Sequence, residues 1–154
     1  MISRIGIVGL GSAGAAAARK LLADGPADLA LTVFDTAVAQ CEAFRGAATL
    51  AATAGEVLRE SDLVLLALPC QREIDRTLER FSDGQVGADV QGKLVWNLAP
   101  LPAAQDAGLR RALEAAGAGY IVTDAQDPAA LARLLRRCFD AGDAQAVARA
   151  MQAA

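Results

Sequence analysis

The clearest structural signal in the chain lies near its start, in the run Ile5-Gly6-Ile7-Val8-Gly9-Leu10-Gly11-Ser12-Ala13-Gly14. Its first four residues are typical of a buried strand, and residues 15–22 are strong helix formers. Gly9 permits a tight turn out of the strand, and Gly11 removes the Cβ that would keep a ligand away from the backbone. Gly14 allows the helix to pack closely on the strand. The run therefore predicts a strand, a glycine turn and a helix.

A turn of this kind is suited to phosphate groups. The N–H groups in the first turn of a helix have no partner within the helix, and the positive end of the helix dipole lies beside them. Together they predict a site for the pyrophosphate of a dinucleotide. The predicted contacts are Gly9, Leu10, Gly11, Ser12, Ala13 and Gly14. The alternative is that the glycines only pack helix against strand, which explains Gly14 but not Gly11.

An acidic residue follows at the expected spacing, because Asp35 ends the aliphatic run 31–34 about twenty residues after Gly14. Its carboxylate can accept hydrogen bonds from the adenosine ribose hydroxyls. The next residue is Thr36 rather than arginine, so a 2′-phosphate would meet Asp35 with no guanidinium beside it. The sequence therefore predicts NAD(H) as the cofactor and disfavours NADP(H). Asp35 is expected at the surface, where its replacement would leave the fold intact. The alternative to a role in binding ribose is that Asp35 only caps the next helix.

Aliphatic runs alternate with helix-forming stretches along the whole chain. Right-handed crossovers between such strands favour a Rossmann-type doubly wound parallel sheet of about six strands in the order 3-2-1-4-5-6, with helices on both faces. The 154 residues contain no linker, so one domain over 1–154 is expected, with a solvated loop at 82–89. Strands are predicted near 3–8, 30–35, 47–50, 62–68, 93–97 and 119–123, and helices near 12–24, 37–45, 54–60, 71–81, 102–116, 128–140 and 143–152.

Composition excludes several classes of function. The net charge is −3 and the basic residues are scattered, so nucleic acid is not expected as a partner. No apolar run reaches the roughly 18 residues of a spanning helix, so we expect no membrane contact and a cytoplasmic protein. Cys41, Cys70 and Cys138 lack the spacing of metal ligands and are expected to be reduced thiols, with no metal site. Histidine is absent, which excludes mechanisms that need an imidazole.

From Gly9 through Pro69 the chain resembles the N-terminal domain of the β-hydroxyacid dehydrogenases, the group of 3-hydroxyisobutyrate and 6-phosphogluconate dehydrogenases. Two segments carry this resemblance. One is the glycine turn, and the other is similar to the family's fourth strand and consists of residues 61–69, Ser-Asp-Leu-Val-Leu-Leu-Ala-Leu-Pro. The resemblance implies that the following loop lies along the nicotinamide half of the cofactor, which adds Leu68, Pro69 and Cys70 to the predicted contacts. Prephenate and pyrroline-carboxylate reductase families share parts of the pattern.

The resemblance weakens beyond the fifth strand. Where the family has Asp-x-Ser-Thr, whose serine contacts the substrate, this chain has Asn97-Leu98-Ala99-Pro100. Asn97 is predicted to contact the cofactor, but the hydroxyl is missing. Where relatives have a Gly-Gly loop, residues 123–128 look like a helix start with Asp127 as N-cap and Pro128 after it. The helical domain that supplies the family's catalytic lysine has no counterpart in this sequence.

Three functions stay open. We favour a dinucleotide-binding module without complete catalytic machinery. The second is an oxidoreductase acting on a small hydroxy acid, imine or carbonyl compound, with a pocket completed by a partner chain or a homodimer. The third is an interaction protein that has lost its nucleotide and uses the apolar stretch 144–151.

The sequence predicts no catalytic residue. Lys20, Lys93 and Tyr120 are expected away from the cofactor, and Asp124 is the first residue to test if activity appears. Cys70 is expected to be a small loop residue rather than a reactive thiol. Trp96 should report binding through its emission.

Overall fold

A computed structural model of the chain describes residues 4–25 and 27–124, together with residues 132, 133 and 136. Strands and helices alternate throughout 4–124. The strands are β1 (Arg4–Val8), β2 (Ala30–Phe34), β3 (Thr49–Leu50), β4 (Leu63–Leu66), β5 (Leu94–Asn97) and β6 (Gly119–Val122). The helices are α1 (Ser12–Asp24), α2 (Val38–Glu42), α3 (Ala54–Glu60), α4 (Gln71–Thr77) and α5 (Ala103–Ala115).

The strands form one parallel sheet in the order β3-β2-β1-β4-β5-β6. Ile5 in β1 lies beside Leu31 of β2 on one side and Leu63 of β4 on the other. The order changes direction between β1 and β4, where ligands of doubly wound sheets bind outside the carboxyl ends of the strands. The predicted Rossmann-type fold and strand order are therefore confirmed.

Helices cover both faces of the sheet. One core cluster joins the sheet to α1 and α2, and the other joins it to α3, α4 and α5. β4 is buried on both faces, which explains why its sequence is a continuous aliphatic run rather than an alternating one. Because aliphatic side chains fill both layers, the carboxyl edge is held by a rigid sheet.

Two helices are shorter than the sequence predicts. The stretch expected as a helix over 37–45 is helical only over Val38–Glu42, because residues 44–48 close into turns in which Phe44 N–H bonds to Cys41 O at 3.0 Å. The stretch expected over 71–81 ends at Thr77, since Glu79 adopts φ 53°, a left-handed conformation that stops a helix.

Several predictions fall outside the described residues. These are the helix near 143–152 and the helix start at Asp127 and Pro128. Within the helix predicted near 128–140, the structure describes residues 132, 133 and 136, which are helical. The single-domain boundary 1–154 stays a prediction. In the part of the chain that the structure describes, no helix is long and apolar enough to cross a membrane.

The loop at 82–89 lies at the amino edge of the sheet, as predicted. Ala88 N–H bonds to Leu78 O at 3.1 Å and Gly87 N–H bonds to Glu79 O at 3.1 Å, so the loop is tied to the end of α4. It is not solvated throughout, because Val86 and Ala88 are partly buried against the core.

Candidate binding site

A cleft of about 1100 Å³ runs along the carboxyl edge of the sheet. It extends from the ends of β2 and β3, across the glycine turn between β1 and β4, to the loop after β5. Eight of the eleven predicted contacts line it, namely Gly9, Gly11, Ser12, Ala13, Asp35, Leu68, Pro69 and Cys70. Leu10, Gly14 and Asn97 do not.

The three glycines of the turn have different surroundings. Gly9 has φ +97°, and a Cβ there would lie 2.3 Å from the carbonyl oxygen of Ala67. A Cβ on Gly14 would lie 1.7 Å from the carbonyl oxygen of Gly9. A Cβ on Gly11 would have no neighbour within 4 Å. Gly9 and Gly14 are therefore required by the fold itself, whereas Gly11 borders open space in the cleft.

The amino end of α1 opens into this space. Gly11 is its N-cap and no side chain caps it, and no acidic residue lies in the first turn. The first intrahelical bond runs from Ala15 N–H to Gly11 O at 2.9 Å. The N–H groups before it have no intrahelical acceptor, and Ser12 and Ala13 line the cleft. An uncapped helix end with a positive dipole fits a pyrophosphate.

Asp35 holds the glycine turn in place. Its Oδ2 accepts a hydrogen bond from Leu10 N–H at 2.6 Å, and its Oδ1 accepts one from Ala37 N–H at 2.7 Å. This geometry argues against the expectation that Asp35 is dispensable to the fold, because two backbone donors would lose their acceptor on its removal. Each carboxylate oxygen has a second lone pair, so a ribose hydroxyl can still be accepted. Leu10 is fully buried with its N–H occupied, which explains its absence from the cleft wall.

A corner at the end of β3 closes one end of the cleft. Thr53 Oγ1 accepts a hydrogen bond from Glu56 N–H at 3.1 Å, and Glu56 Oε2 accepts one from Ala52 N–H at 2.9 Å. This pair differs from a capping box only in that Glu56 accepts from Ala52, the residue before the N-cap Thr53. Sequence reasoning missed Ala52 and Thr53 as cleft wall, although the Thr-x-x-Glu spacing was a usable signal for the helix start.

Helix α4 supplies the charged wall of the cleft, which the sequence did not predict. Glu73, Arg76 and Thr77 line it. Arg76 is the only cation among the described residues that line the cleft, and its nearest acid is Glu73 at 3.6 Å. Its side chain is 62% exposed, so the guanidinium is available to a ligand.

At the other end of the cleft, the wall after β5 consists of Leu98 and Ala99. Asn97 lies beneath this wall, fully buried. Its Oδ1 accepts a hydrogen bond from Ala99 N–H at 2.9 Å, and its Nδ2 donates to Tyr120 Oη at 3.1 Å. Contact between Asn97 and a cofactor stays a prediction, since both groups of its amide are already engaged within the protein.

Tyr120 is the clearest correction to the sequence analysis. Its backbone pairs with Val95, as a residue early in β6 should, but its hydroxyl reaches the carboxyl end of the sheet and meets Asn97. The long side chain leans along the strand, with the Arg110 guanidinium 5.0 Å from the ring centroid. The hydroxyl donates to Asp106 Oδ1 at 2.7 Å. Burial and the hydrogen bond to Asp106 raise the pKa of Tyr120 well above its usual value.

Both lysines lie away from the cleft, as expected. Lys20 pairs with Asp24 at 2.6 Å on α1. Lys93 lies at the amino edge, where it donates to the carbonyl oxygens of Leu58 and Arg59, and burial lowers its pKa. Trp96 is fully buried on the α1 face and does not line the cleft.

Two further candidates have a defined place. Cys70 is exposed at the start of α4 and lines the cleft, whereas Cys41 is buried. Asp124 is exposed just after β6. Within residues 4–25 and 27–124 no group of three or more potential metal ligands comes together.

The parallel sheet, the glycine turn and the open helix end define a Rossmann-type dinucleotide-binding domain. A family profile for the NAD binding domain of 6-phosphogluconate dehydrogenase matches residues 4–136. The chain belongs to this family and is an NAD(P)-binding domain of the β-hydroxyacid dehydrogenase type. No curated protein sequence matches the chain.

Similar solved structures include reductases. A reductive aminase from Aspergillus terreus in complex with NADPH and ethyl-5-oxohexanoate is 26% identical with a TM-score of 0.66, over 80% of this chain and 41% of that one. An imine reductase from Bacillus cereus BAG3X2 is 24% identical with a TM-score of 0.65, over 77% of this chain and 39% of that one. An imine reductase from Myxococcus stipitatus in complex with NADP+ is 17% identical with a TM-score of 0.69, over 88% of this chain and 52% of that one.

The last two similarities, below 25% identity, indicate a shared fold alone. The chain spans about two fifths of the length of the Aspergillus terreus enzyme, which is 41% covered.

Proposed function

We propose that the cleft binds a nicotinamide adenine dinucleotide in an extended conformation. The pyrophosphate would lie on the uncapped end of α1, the adenosine toward Asp35, and the nicotinamide toward Leu98 and Ala99. One observation carries the proposal: of the three glycines in the turn, only Gly11 borders open space, and it does so beside the free N–H groups of α1. Such a dinucleotide supplies hydride transfer; the residues described here bind and orient it.

The charge of the cleft favours NAD(H) over NADP(H). Asp35 and Glu73 place two carboxylates on its walls against the single guanidinium of Arg76. A 2′-phosphate beside Asp35 would be repelled, and Thr36 offers no compensating charge. The Aspergillus terreus reductive aminase, which is 26% identical to this chain, carries NADPH, which supports the opposite preference. A titration with both cofactors decides between the two.

The experiment is a calorimetric titration of the wild-type chain with NADH, NADPH, NAD and NADP, with Trp96 emission as a second readout. We expect NADH to bind more tightly than NADPH, and the emission to fall. Equal or tighter binding of NADPH would reject the preference, and no binding of any dinucleotide would reject the proposed function.

The matched variant is Gly11→Val. Its side chain would fill the space above the helix end, so binding should be lost, whereas the fold should persist because nothing in the protein occupies that space. Unchanged affinity of a folded Gly11→Val would show that the turn is not a phosphate site.

A second candidate function is an oxidoreductase whose proton donor comes from outside the described residues, as the reductase neighbours suggest. The wall after β5 presents only Leu98 and Ala99, so this wall places no acid or base beside the proposed nicotinamide. General acid–base catalysis is worth about 10²–10⁴-fold in rate. The chain assayed alone with NAD and a panel of 3-hydroxy acids should therefore show no enzymatic turnover. Turnover lost in Asp124→Asn would contradict this expectation.

A further inference from the structure

We infer that a buried chain of hydrogen bonds through Asp106, Tyr120 and Asn97 positions the wall of the cleft after β5, and thereby the nicotinamide half of the dinucleotide. Tyr120 and Asn97 act here as positioning residues, since neither lines the cleft. The inference rests on the proposed function, because it concerns the orientation of that same ligand.

The direction of each hydrogen bond follows from the charge on Asp106. A tyrosine hydroxyl has one proton, and an ionised carboxylate can only accept, so Tyr120 donates to Asp106 at 2.7 Å. The Tyr120 oxygen must then accept from Asn97, which turns the Nδ2 of that amide toward it at 3.1 Å. The Asn97 Oδ1 is left facing the opposite way.

That remaining oxygen holds the cleft wall. Asn97 Oδ1 accepts the hydrogen bond from Ala99 N–H at 2.9 Å, and Ala99 lines the cleft. Leu98 N–H is held separately by Leu66 O at 2.9 Å. Both residues of the wall are thus fixed, one to β4 by backbone pairing and one to β6 and α5 through side chains.

The surroundings keep this chain of bonds in one state. Asp106 lies in the first turn of α5, where the helix dipole favours its negative charge. Asn97 and Tyr120 are fully buried, so water does not compete for their hydrogen bonds. The raised pKa of Tyr120 keeps its hydroxyl protonated and able to donate.

The pyrophosphate lies at the middle of the cleft in this arrangement, so its two halves extend to opposite sides. Asp35 follows β2, and Ala99 follows β5 on the other side of the β1–β4 junction. Displacing Ala99 should therefore disturb the nicotinamide half and spare the adenosine half.

The test uses two ligands, NADH and ADP-ribose, which share the adenosine and pyrophosphate but differ in the nicotinamide. Tyr120→Phe removes one hydroxyl and keeps the ring. It frees the Asn97 amide to reorient, so we expect NADH to bind about three- to tenfold more weakly, while ADP-ribose changes less than about twofold. Equal losses for both ligands, or none, would overturn the inference.

Asp106→Ala is the second variant, for the case in which Tyr120→Phe does not fold. Asp106 is only partly buried, and its loss leaves the Tyr120 hydroxyl free to donate to Asn97. That bond requires the Asn97 amide to flip, which turns Nδ2 toward Ala99 N–H and removes the acceptor of Ala99. The same selective loss of NADH affinity is expected. Gln105→Ala, an exposed change on the same helix, is the control and should bind both ligands as the wild type does. If the wild type binds neither ligand, the proposed function fails; if it binds both and the variants lose them equally, only the positioning inference fails.

Discussion

The glycine turn in the middle of the cleft and the loop at its β5 end are built in opposite ways. The turn after β1 is shaped by missing side chains, because Gly9 and Gly14 each leave no room for a Cβ. The loop after β5 is shaped by side chains that are present, since Asn97 and Tyr120 hold Ala99 from below. The first region depends on backbone atoms that leave no space beside Gly9 and Gly14, and the second depends on side-chain contacts between β5, β6 and α5.

Because of this difference, the two regions should respond differently to substitutions. Backbone contacts at the glycine turn leave no alternative geometry, so substitutions there either destroy the packing or block the ligand. A series of hydrogen-bonded side chains can rearrange when one of them is lost. Substitutions at the β5 end should therefore change the affinity for the dinucleotide by smaller factors.

The largest effect is expected from comparing Gly14→Ala with Gly11→Ala. A Cβ at Gly14 would lie 1.7 Å from the Gly9 carbonyl oxygen, so α1 must move off β1, at a cost of about 3 kcal/mol in the free energy of unfolding. The Cβ of Gly11→Ala meets no neighbour, so this variant should change the free energy of unfolding by less than about 1 kcal/mol. Urea unfolding measures both, and similar losses for the two variants would remove the distinction drawn between these glycines.

The next effect concerns charge at the adenosine end. Asp35→Asn keeps one carbonyl acceptor but removes the negative charge, so the ratio of the NADPH and NADH dissociation constants should fall about tenfold, or 1.4 kcal/mol. Because Asp35 also holds Leu10 N–H and Ala37 N–H, some loss of stability should accompany it. Glu73→Gln removes another carboxylate of the same cleft and is the control. An equal change in Glu73→Gln would mean that net charge, rather than Asp35, sets the preference.

A smaller effect is expected from Arg76, because its side chain is 62% exposed. Arg76→Gln should weaken NADH binding about threefold at low salt, and less as salt screens the charge. Arg72 lies one turn earlier on α4 and does not line the cleft, so Arg72→Gln is a matched control. Binding constants at two salt concentrations test this; equal effects of the two variants would argue against a contact by Arg76.

The smallest effect is a pH dependence carried by Tyr120. Its pKa is raised in the folded state, so its contribution to stability is complete below about pH 10 and is lost as the pH rises above that value, where the unfolded tyrosine ionises first. The difference in unfolding free energy between wild type and Tyr120→Phe should fall by about 0.4 kcal/mol between pH 9 and 10. A constant difference would mean that the hydroxyl is not protected from ionisation. The lowered pKa of Lys93 gives a pH dependence of the opposite sign, which is present in both proteins and cancels in the subtraction.

Sequence reasoning located the strands, their order and the glycine turn because each has a local cause. The aliphatic run of β4, the turn residues Gly9 and Gly14, and the spacing to Asp35 can all be recognised within a few dozen residues. The second role of Asp35, as acceptor for Leu10 N–H, was not evident, because it joins positions that only the pairing of β1 with β2 brings together.

The sequence by itself therefore determined the class of fold and the glycine turn of the cleft, since glycine spacing and aliphatic periodicity act through local backbone geometry. Only the tertiary structure decided that Arg76 joins the cleft wall and that Tyr120 serves its far end. Tyr120 and Asn97 are 23 positions apart, and Tyr120 reaches Asp106 on a helix between them in the chain. No local pattern encodes such a contact, because it depends on how α5 packs over β5 and β6 and on the direction in which a long side chain leans.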